Sequence, residues 1–533
     1  MQDLCERARA SFEWSVPDHF NIGVDICDSW AAREPDRTAI VELVGGRLEK
    51  TSFGELMRRS NRLANFLTAA RIGRGDRVAI LTSQRVETVL AHIATYKTGA
   101  IAVPLFCLFG PDALLHRLND SGCRIALTDA QGLIRLETIR SQLPHLEGIF
   151  SFDSDATQCR IEKFADTYEP VETRADDPAL IIYTSGTTGA SKGALHAHRV
   201  LLGHLPGVEM SHSGFPREHD CIWTPADWSW IGGLLDVVFP ALHHGVPVVA
   251  HRFAKFDAAA AFGLMARCGV CNTFLPPTAL KMLRHENRPR DRWNLALRSI
   301  ASGGESLGAE LLAWGREQLG IEINEFYGQT ECNMVLSSSS AWFPAKPGAI
   351  GKAAPGHDVR IVDGAGRVLP PNAEGDIAIR RPDPVMFLGY WNNPVATVEK
   401  YRGEWLITGD CGTVDEEGYF HFVGRLDDVI TSAGYRIGPA EIEDCLLQHP
   451  AVASAGVVGV PDPLRTEVVT AFVVLRAGFE AGSSLVAELQ DRVCGRLGPH
   501  QYPRRVVFLD RLPMTITGKI LRRELRVLAR TEE

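Results

Sequence analysis

The chain of 533 residues contains no uninterrupted apolar run near the roughly 18 residues a bilayer-spanning helix requires, so no integral membrane segment is expected. Its N-terminus, MQDLCERARASFEW, has no apolar core of a secretory signal, and its mixed acids do not suit a transit peptide; a cytoplasmic location is the expectation. Basic charge is not in excess. With 56 Lys and Arg against 65 Asp and Glu, the formal net charge is −9, which argues against nucleic-acid or anionic-membrane binding and makes any phosphate site local. Twelve cysteines form no framework and read as reduced thiols. The lone C-x-x-C of Cys268 and Cys271 has no second pair for zinc, and it does not open a helix after a strand as a thioredoxin-like motif would. The pairs His196/His198 and His243/His244 lack a third ligand in sequence and read as structural. No repeat of solenoid length is present.

The composition is that of an ordinary globular enzyme, and the length suits roughly 3 domains. The most informative stretch is ALIIYTSGTTGASKG, from Ala179 to Gly193. Its apolar start reads as a buried strand. The loop that follows holds Thr184, Ser185, Gly186, Thr187, Thr188, Gly189, Ser191, Lys192 and Gly193: hydroxyl donors, one cation, and glycines that let backbone N–H groups close on a ligand. Such a surface suits a polyphosphate. A plain Ser/Thr/Gly-rich turn is the alternative. The density of hydroxyls and glycines, broken only by Ala190 and Lys192, favours the ligand loop. Because Lys192 is followed by Gly193, the spacing is not that of a Walker motif, and a P-loop NTPase is disfavoured.

Residues 50–150 alternate helix-like and strand-like segments, and the pattern resumes beyond the loop with a helix over 234–242, a strand over 246–250 and a helix over 258–268. The expectation is an α/β fold whose large N-terminal domain has two parallel-type sheets covered by helices. After about residue 347 short strands with Asp363-Gly364 and Pro370-Pro371 turns indicate a β-barrel-like subdomain over 347–424. Residues 429–533 read as a small, mobile α+β C-terminal domain. Between them the polar segment 425–428 reads as a hinge, which makes 1–424 the N-terminal domain. Ser302-Gly303-Gly304-Glu305 and Glu325-Phe326-Tyr327-Gly328-Gln329-Thr330-Glu331 each follow strand-like runs, and in open α/β sheets ligands bind at that edge. Thr408-Gly409-Asp410 places a carboxylate at a turn, and Pro513 to Lys519 places a lysine on a Gly/Thr loop.

Together YTSGTTGASKG, EFYGQTE, WLITGD, GRLDDVITSAGYRIGPAEIE and PMTITGK stand in the order and spacing of the adenylate-forming acyl-CoA synthetases. The chain resembles that family over essentially its whole length. GYRIGPAEIE with YGQTE, and the opening FNIGVDICDSW, look most like its medium-chain branch.

The resemblance implies ligation of a carboxylic acid to coenzyme A through an acyl-adenylate, with ATP, Mg²⁺ and coenzyme A as the reaction's partners. Thr184, Ser185, Gly186, Thr187, Thr188, Gly189 and Lys192 would hold the β- and γ-phosphates. Gly304, Glu305, Phe326 and Tyr327 would frame the adenine, with Glu325, Gly328 and Gln329 among the ATP contacts. Thr330 would contact the α-phosphate, Glu331 would hold Mg²⁺, and Asp410 with Arg425 would bind the ribose. Lys519 would act on the carboxylate and α-phosphate oxygens, so Lys519, Thr330 and Glu331 are the catalytic set. Asp427 would be the pivot on which a second half-reaction turns, Ala433, Gly434, Tyr435 and Arg436 would line the pantetheine path, and Arg436, Arg465 and Arg504 would meet the coenzyme A phosphates. Asp227, Trp228, Trp230, Gly303 and Gly328 would border the acid. A glycine at 328, where acetate-specific relatives place a tryptophan, implies a longer acyl cavity. Trp228 departs from the smaller residue of the medium-chain members, and its alternative is a core side chain.

Medium-chain fatty acids are thus the expected substrates, with aromatic or cyclic acids as the alternative. A carrier-protein-loading adenylating enzyme is the second alternative; the chain ends at Glu533 with no carrier segment, which favours free coenzyme A. A non-catalytic nucleotide-binding protein is the third, and the joint presence of Lys192, Glu331, Asp410, Arg425 and Lys519 argues against it. The context of Lys519 also resembles one that lysine acetyltransferases and deacetylases act on, and a homo-oligomer is compatible with this reading.

Overall fold

A computed structural model describes residues 4–184, 191–304, 307–346, 348–425, 428, 430–432, 435–462, 465–497, 501–515 and 518–531. The chain forms two compact units, Met1–Asp358 with Arg380–Tyr401, and Val359–Ile379 with Arg402–Glu533.

The first unit is built on two mainly parallel sheets, as the alternating pattern requires. In one, the strands Pro178–Thr184, Ile101–Pro104, Arg77–Leu81, Ile125–Thr128 and Gly148–Ser151 lie side by side and parallel. Lys192–Ala197 and the short strand Gly389–Tyr390 extend it antiparallel beyond Pro178–Thr184. In the other, Ile323–Gln329, Ser299–Gly303, Asn272–Phe274, Ile222–Trp223, Val248–Ala250 and Thr38–Val44 run parallel. Cys332–Ser337 folds back on Ile323–Gln329 through a turn at Thr330 and Glu331.

Burial on both faces explains the near-continuous apolar strands. Val78 and Ile80 point into one core while Ala79 and Leu81 point into another, and Leu180/Ile182 against Ile181/Tyr183 divide the same way. The core shared by both sheets encloses the helices Phe53–Ala69, Val86–Lys97 and Val200–Ser211. The helix Val86–Lys97 is buried at every residue but Glu87 and so sits as a middle layer. The helices Pro111–Ser121 and Ala258–Cys268 cover the outer faces. The expected helix over 234–242 is interrupted: a wide π-type turn, Leu234–Val238, joins Ile231–Gly233 to Phe239–His243, and Pro240 lacks the N–H that a regular continuation would use.

In the second unit, Val359–Val362 pairs antiparallel with Gly375–Arg380, and Trp405–Val414 with Phe420–Arg425. A further sheet pairs Val452–Asp462 with Thr466–Leu475 along its full length, with Arg505–Phe508 parallel on the other side. The helices Pro439–Leu447 and Ser483–Arg496 cover one of its faces and Arg522–Thr531 the other. Among the described residues no helix is long and apolar enough to cross a membrane.

Candidate active site

The strand Pro178–Thr184 ends at the sheet's carboxyl edge, and the chain returns along Lys192–Ala197 with Thr184 opposite Lys192. Ser185, Gly186, Thr187, Thr188 and Gly189 lie outside the described residues. Gly193 is required by packing, since a Cβ there would stand 2.7 Å from the Ile181 side chain. Tyr183 anchors the strand end by donating to Asp120 Oδ2 at 2.6 Å.

Thr330 and Glu331 form the turn between Ile323–Gln329 and Cys332–Ser337, where Gln329 pairs with Cys332. Glu331 is nearly buried, and Tyr390 donates its hydroxyl to Oε1. The ammonium of Lys192 lies over the Tyr390 ring, 5.1 Å from its centroid. Backbone pairing places Tyr390 there: its strand runs against Lys192–Ala197 with Tyr390 opposite Ala194, and Phe387 N donates to Glu331 O at 2.9 Å. Lys400 Nζ donates to Gln329 Oε1 at 2.8 Å. A carboxylate has two oxygens, so one hydroxyl donor leaves acceptor capacity on Glu331. Among the described residues no group of three or more acids, histidines or cysteines could hold a metal. A single hard carboxylate fits Mg²⁺, which is bound through one or two carboxylates plus substrate phosphates.

The adenine-side residues divide by burial. Phe326 is in the core and packs on Phe274 at 5.2 Å between ring centroids, whereas Tyr327 is half-buried. Gly303 lies opposite Phe326, and a Cβ there would stand 2.6 Å from the Phe326 ring. Gly304 follows at φ +94°, a conformation suited to glycine. Glu325 Oε1 accepts from Leu307 N at 3.1 Å and thus ties down the far end of the Gly304 loop, while Glu305 lies outside the described residues.

The substrate segment separates in the same way. Asp227 is buried with both oxygens engaged, accepting from Ser229 N at 2.9 Å, Ser229 Oγ at 2.6 Å and Cys107 Sγ at 3.4 Å. Burial raises its pKa, the Ser229 bonds opposing. Its geometry is that of a turn-former holding Trp228 and Trp230 in place. Trp228 is 2% exposed within the shared core, whereas Trp230 is half-buried against Phe106 and Phe109, at 5.7 and 6.0 Å. The room a side chain at Gly328 would need is taken by Asn333, whose Oδ1 stands 2.1 Å and Cα 2.7 Å from the Cβ position. Asn333 in turn donates to both oxygens of buried Asp236, at 2.7 and 2.9 Å. Burial pushes the Asp236 carboxyl well above the usual range.

On the second unit, Asp410 pairs across the strands with Arg425, Nη1 to Oδ1 at 3.7 Å. Asp410 N donates to Thr408 Oγ1 at 3.1 Å around Gly409, whose φ is +81°. Lys519 is exposed at the foot of a tight loop: its N donates to Thr515 Oγ1 at 3.0 Å, and Thr515 N donates to its carbonyl at 2.7 Å. Arg465 N donates to Asp462 Oδ1 at 2.8 Å, and the Arg504 guanidinium lies 5.7 Å from the Tyr502 ring centroid. Tyr435 and Arg436 sit on a short strand paired with Ile430–Ser432. Asp427, Ala433 and Gly434 lie outside the described residues.

Sequence reading passed over Tyr390, Lys400 and Asp236. Tyr390 lies in Phe387-Leu388-Gly389-Tyr390-Trp391, an aromatic-rich run that carries no recognisable phosphate or metal signature. Of the two histidine pairs, His196 and His198 are fully buried, and burial lowers both to about 3, while His243 Nδ1 lies 2.6 Å from Asp25 Oδ2 and His244 Nε2 lies 3.1 Å from Glu209 Oε1.

The model of the "AMP-binding enzyme" family matches residues 27–391, and that of the "AMP-binding enzyme C-terminal domain" matches 441–519. The chain is 36% identical over 545 residues to the Homo sapiens protein named acyl-coenzyme A synthetase ACSM4, mitochondrial, covering 96% of this chain and 91% of that one. It is 36% identical over 497 residues to the Bacillus subtilis acetyl-coenzyme A synthetase, covering 90% and 85%. The crystal structure of the anthranilate CoA ligase AuaEII with anthranoyl-AMP superposes with a TM-score of 0.87 at 29% identity, covering 96% of this chain and 98% of that one.

Proposed function

The chain belongs to the AMP-binding enzyme family, and from that premise we propose that it is an ATP-dependent carboxylic acid–CoA ligase acting on medium-chain fatty acids. Acid, ATP and coenzyme A give acyl-CoA, AMP and pyrophosphate through an acyl-adenylate. The observation that carries this reading is the joining of Lys192 and Glu331 by Tyr390 where the strand edges meet. One cation and one carboxylate are there held by the same side chain, a pairing that suits a metal–polyphosphate ligand.

In the first half-reaction the acid's carboxylate attacks the α-phosphorus and pyrophosphate leaves. Both reactants are anionic, so positioning and charge stabilisation matter more than proton transfer. Lys192 and Thr184 to Gly189 hold the departing phosphates, Thr330 faces the α-phosphate, and Asp410 with Arg425 takes the ribose. Tyr327 is the face offered to adenine. Glu331 would hold Mg²⁺, which when bound would supply positive charge to the polyphosphate. Lys519 supplies its ammonium to the α-phosphoryl oxygens, and losing such a contact typically costs about 100- to 1,000-fold in rate. In the second half-reaction the thiol of coenzyme A attacks the acyl carbonyl and AMP leaves. Asp427 as pivot, with a boundary at 425–428 between domains 1–424 and 429–533, and Gly434, Arg436, Arg465 and Arg504 as coenzyme A contacts, are parts of the same proposal.

For the acid, Trp230 beside Phe106 and Phe109 supports an apolar chain or ring longer than acetate, while Gly328 adds no room because Asn333 fills the space beside it; the Bacillus subtilis relative bears acetate in its name and the AuaEII structure an aromatic acid. Acetylation of Lys519 by an acetyltransferase, reversed by a deacetylase, would neutralise the ammonium adenylation needs. A cytoplasmic location and a homo-oligomer complete the proposal; the ACSM4 relative is named as mitochondrial.

The test is AMP and pyrophosphate release over short, medium, branched and aromatic acids, with and without coenzyme A, alongside Lys519→Ala. Medium-chain acids should give the highest turnover, and Lys519→Ala should lose adenylation while still converting supplied acyl-adenylate to thioester. AMP release that requires a carrier protein would overturn the coenzyme A assignment, and equal loss of both half-reactions would overturn the role of Lys519.

A further inference from the structure

We propose that Tyr390 is a positioning residue for the metal–phosphate site, acting through Glu331 with its hydroxyl and through Lys192 with its ring; this rests on the roles given to those two residues above.

The two contacts use different parts of one side chain. The phenol donates to Glu331 Oε1, a charge-assisted bond of the stronger kind. It holds one carboxylate oxygen and leaves the other to a cation. The ring face carries the Lys192 ammonium at 5.1 Å, within the range of a cation–π contact. An ammonium on a four-carbon stem has no fixed direction of its own, so a ring beneath it supplies one.

Tyr390 itself is fixed from several sides. Its backbone N donates to Thr397 Oγ1 at 2.8 Å, its carbonyl accepts from Asn393 N at 3.1 Å, and its ring meets that of Phe387 edge-on at 5.0 Å. It is 9% exposed. The neighbouring backbone bonds Leu388 N to Leu195 O and Trp391 N to Gly193 O, both 2.7 Å, lock the short strand to the one that begins at Lys192. A rigid aromatic therefore joins two functional side chains 139 positions apart in sequence, at 192 and 331.

Partners that orient a metal ligand typically change metal affinity by about 10- to 100-fold when removed. The experiment compares the wild type, Tyr390→Phe, Tyr390→Leu and Glu331→Gln by Mn²⁺ titration followed by electron paramagnetic resonance in the presence of a β,γ-imido ATP analogue. KM for ATP and kcat are measured in parallel at saturating Mg²⁺. Tyr390→Phe keeps the ring and loses the donor: Mn²⁺ binding should weaken about tenfold, with KM for ATP unchanged. Tyr390→Leu should weaken Mn²⁺ equally and also raise KM for ATP by about 3- to 30-fold, the range of a cation–π contact. Phe retains the ring's bulk, so it separates positioning from simple core filling even if the Leu variant folds poorly. Unchanged Mn²⁺ binding in Tyr390→Phe, with loss in Glu331→Gln, would overturn this inference alone. Unchanged binding in Glu331→Gln would overturn the site reading beneath it.

Discussion

Arg522 offers the sharpest test of how the second unit is held together. Its guanidinium donates to both oxygens of Glu443, at 2.8 and 2.7 Å, and reaches Asp428 Oδ2 at 3.4 Å. Arg526 takes the other Asp428 oxygen at 2.9 Å, and Val457 N donates to Glu443 Oε1 at 2.8 Å. The side chains of Asp428, Glu443 and Arg522 are 10%, 11% and 21% exposed, so the screening that makes surface pairs weak is largely absent. Replacing Arg522 by Met keeps the stem and removes the charge, leaving two nearly buried carboxylates short of a partner. Breaking such a pair from one side costs about 3–5 kcal/mol. Taking 3 kcal/mol, amide protection in Val452–Asp462 and Thr466–Leu475 should fall about 100-fold by hydrogen exchange.

The pH dependence follows from Glu443. Burial raises its pKa and Arg522 opposes that rise. Without the arginine the folded pKa climbs further above the unfolded value. A group so raised stabilises the fold below its unfolded pKa and loses that contribution as pH rises through the folded one. The penalty in Arg522→Met should therefore shrink on acidification towards the ordinary glutamate range. Adding Glu443→Leu should recover part of the loss at pH 7. A penalty that grows on acidification, or a double variant with no recovery, would refute the assignment of the cost to a stranded carboxylate.

Two further outcomes are expected. Gly328→Ala should cost about 1–3 kcal/mol, because the new Cβ meets Asn333 at 2.1 and 2.7 Å, and it should alter KM for the acid rather than for ATP; an unchanged urea midpoint would show that Asn333 yields freely. His92, His196, His198, His204 and His212 are each lowered to about 3 by burial, with smaller effects of neighbouring groups at all but His92. The unfolded chain then binds more protons than the fold from about pH 6.5 down to about 3, so stability should fall steadily as pH drops through that window, by up to about 1.4 kcal/mol per pH unit for each histidine. Equal urea midpoints at pH 7 and pH 5.5 would count against the buried neutral state.

Much of the fold was legible because burial leaves a local mark. Near-continuous apolar runs such as residues 78–81 and 179–182 announce strands covered on both faces, and the antiparallel pairs around Asp363-Gly364 were visible in their turn residues. The interrupted helix at Leu234–Val238 was not, because an apolar stretch shows the same burial whether its turns are regular or wide. At the site, the hydroxyl- and glycine-rich loop and the Thr330–Glu331 segment stood out as dense polar groups at strand ends, whereas Asp410, expected at a turn, lies inside the strand Trp405–Val414 opposite Arg425.

Local composition thus determined the alternating architecture and the catalytic vocabulary, since period, turn chemistry and loop polarity are properties of neighbours in the chain. Folding decided which of those residues are free to act. Asp227 is spent on its own turn, Trp228 on the core, and Gly328 faces Asn333, while Tyr390, with no signature of its own, meets both Lys192 and Glu331. The Tyr390 contacts depend on sheet order and register across separations of 59 residues to Glu331 and 198 to Lys192, which no local pattern encodes.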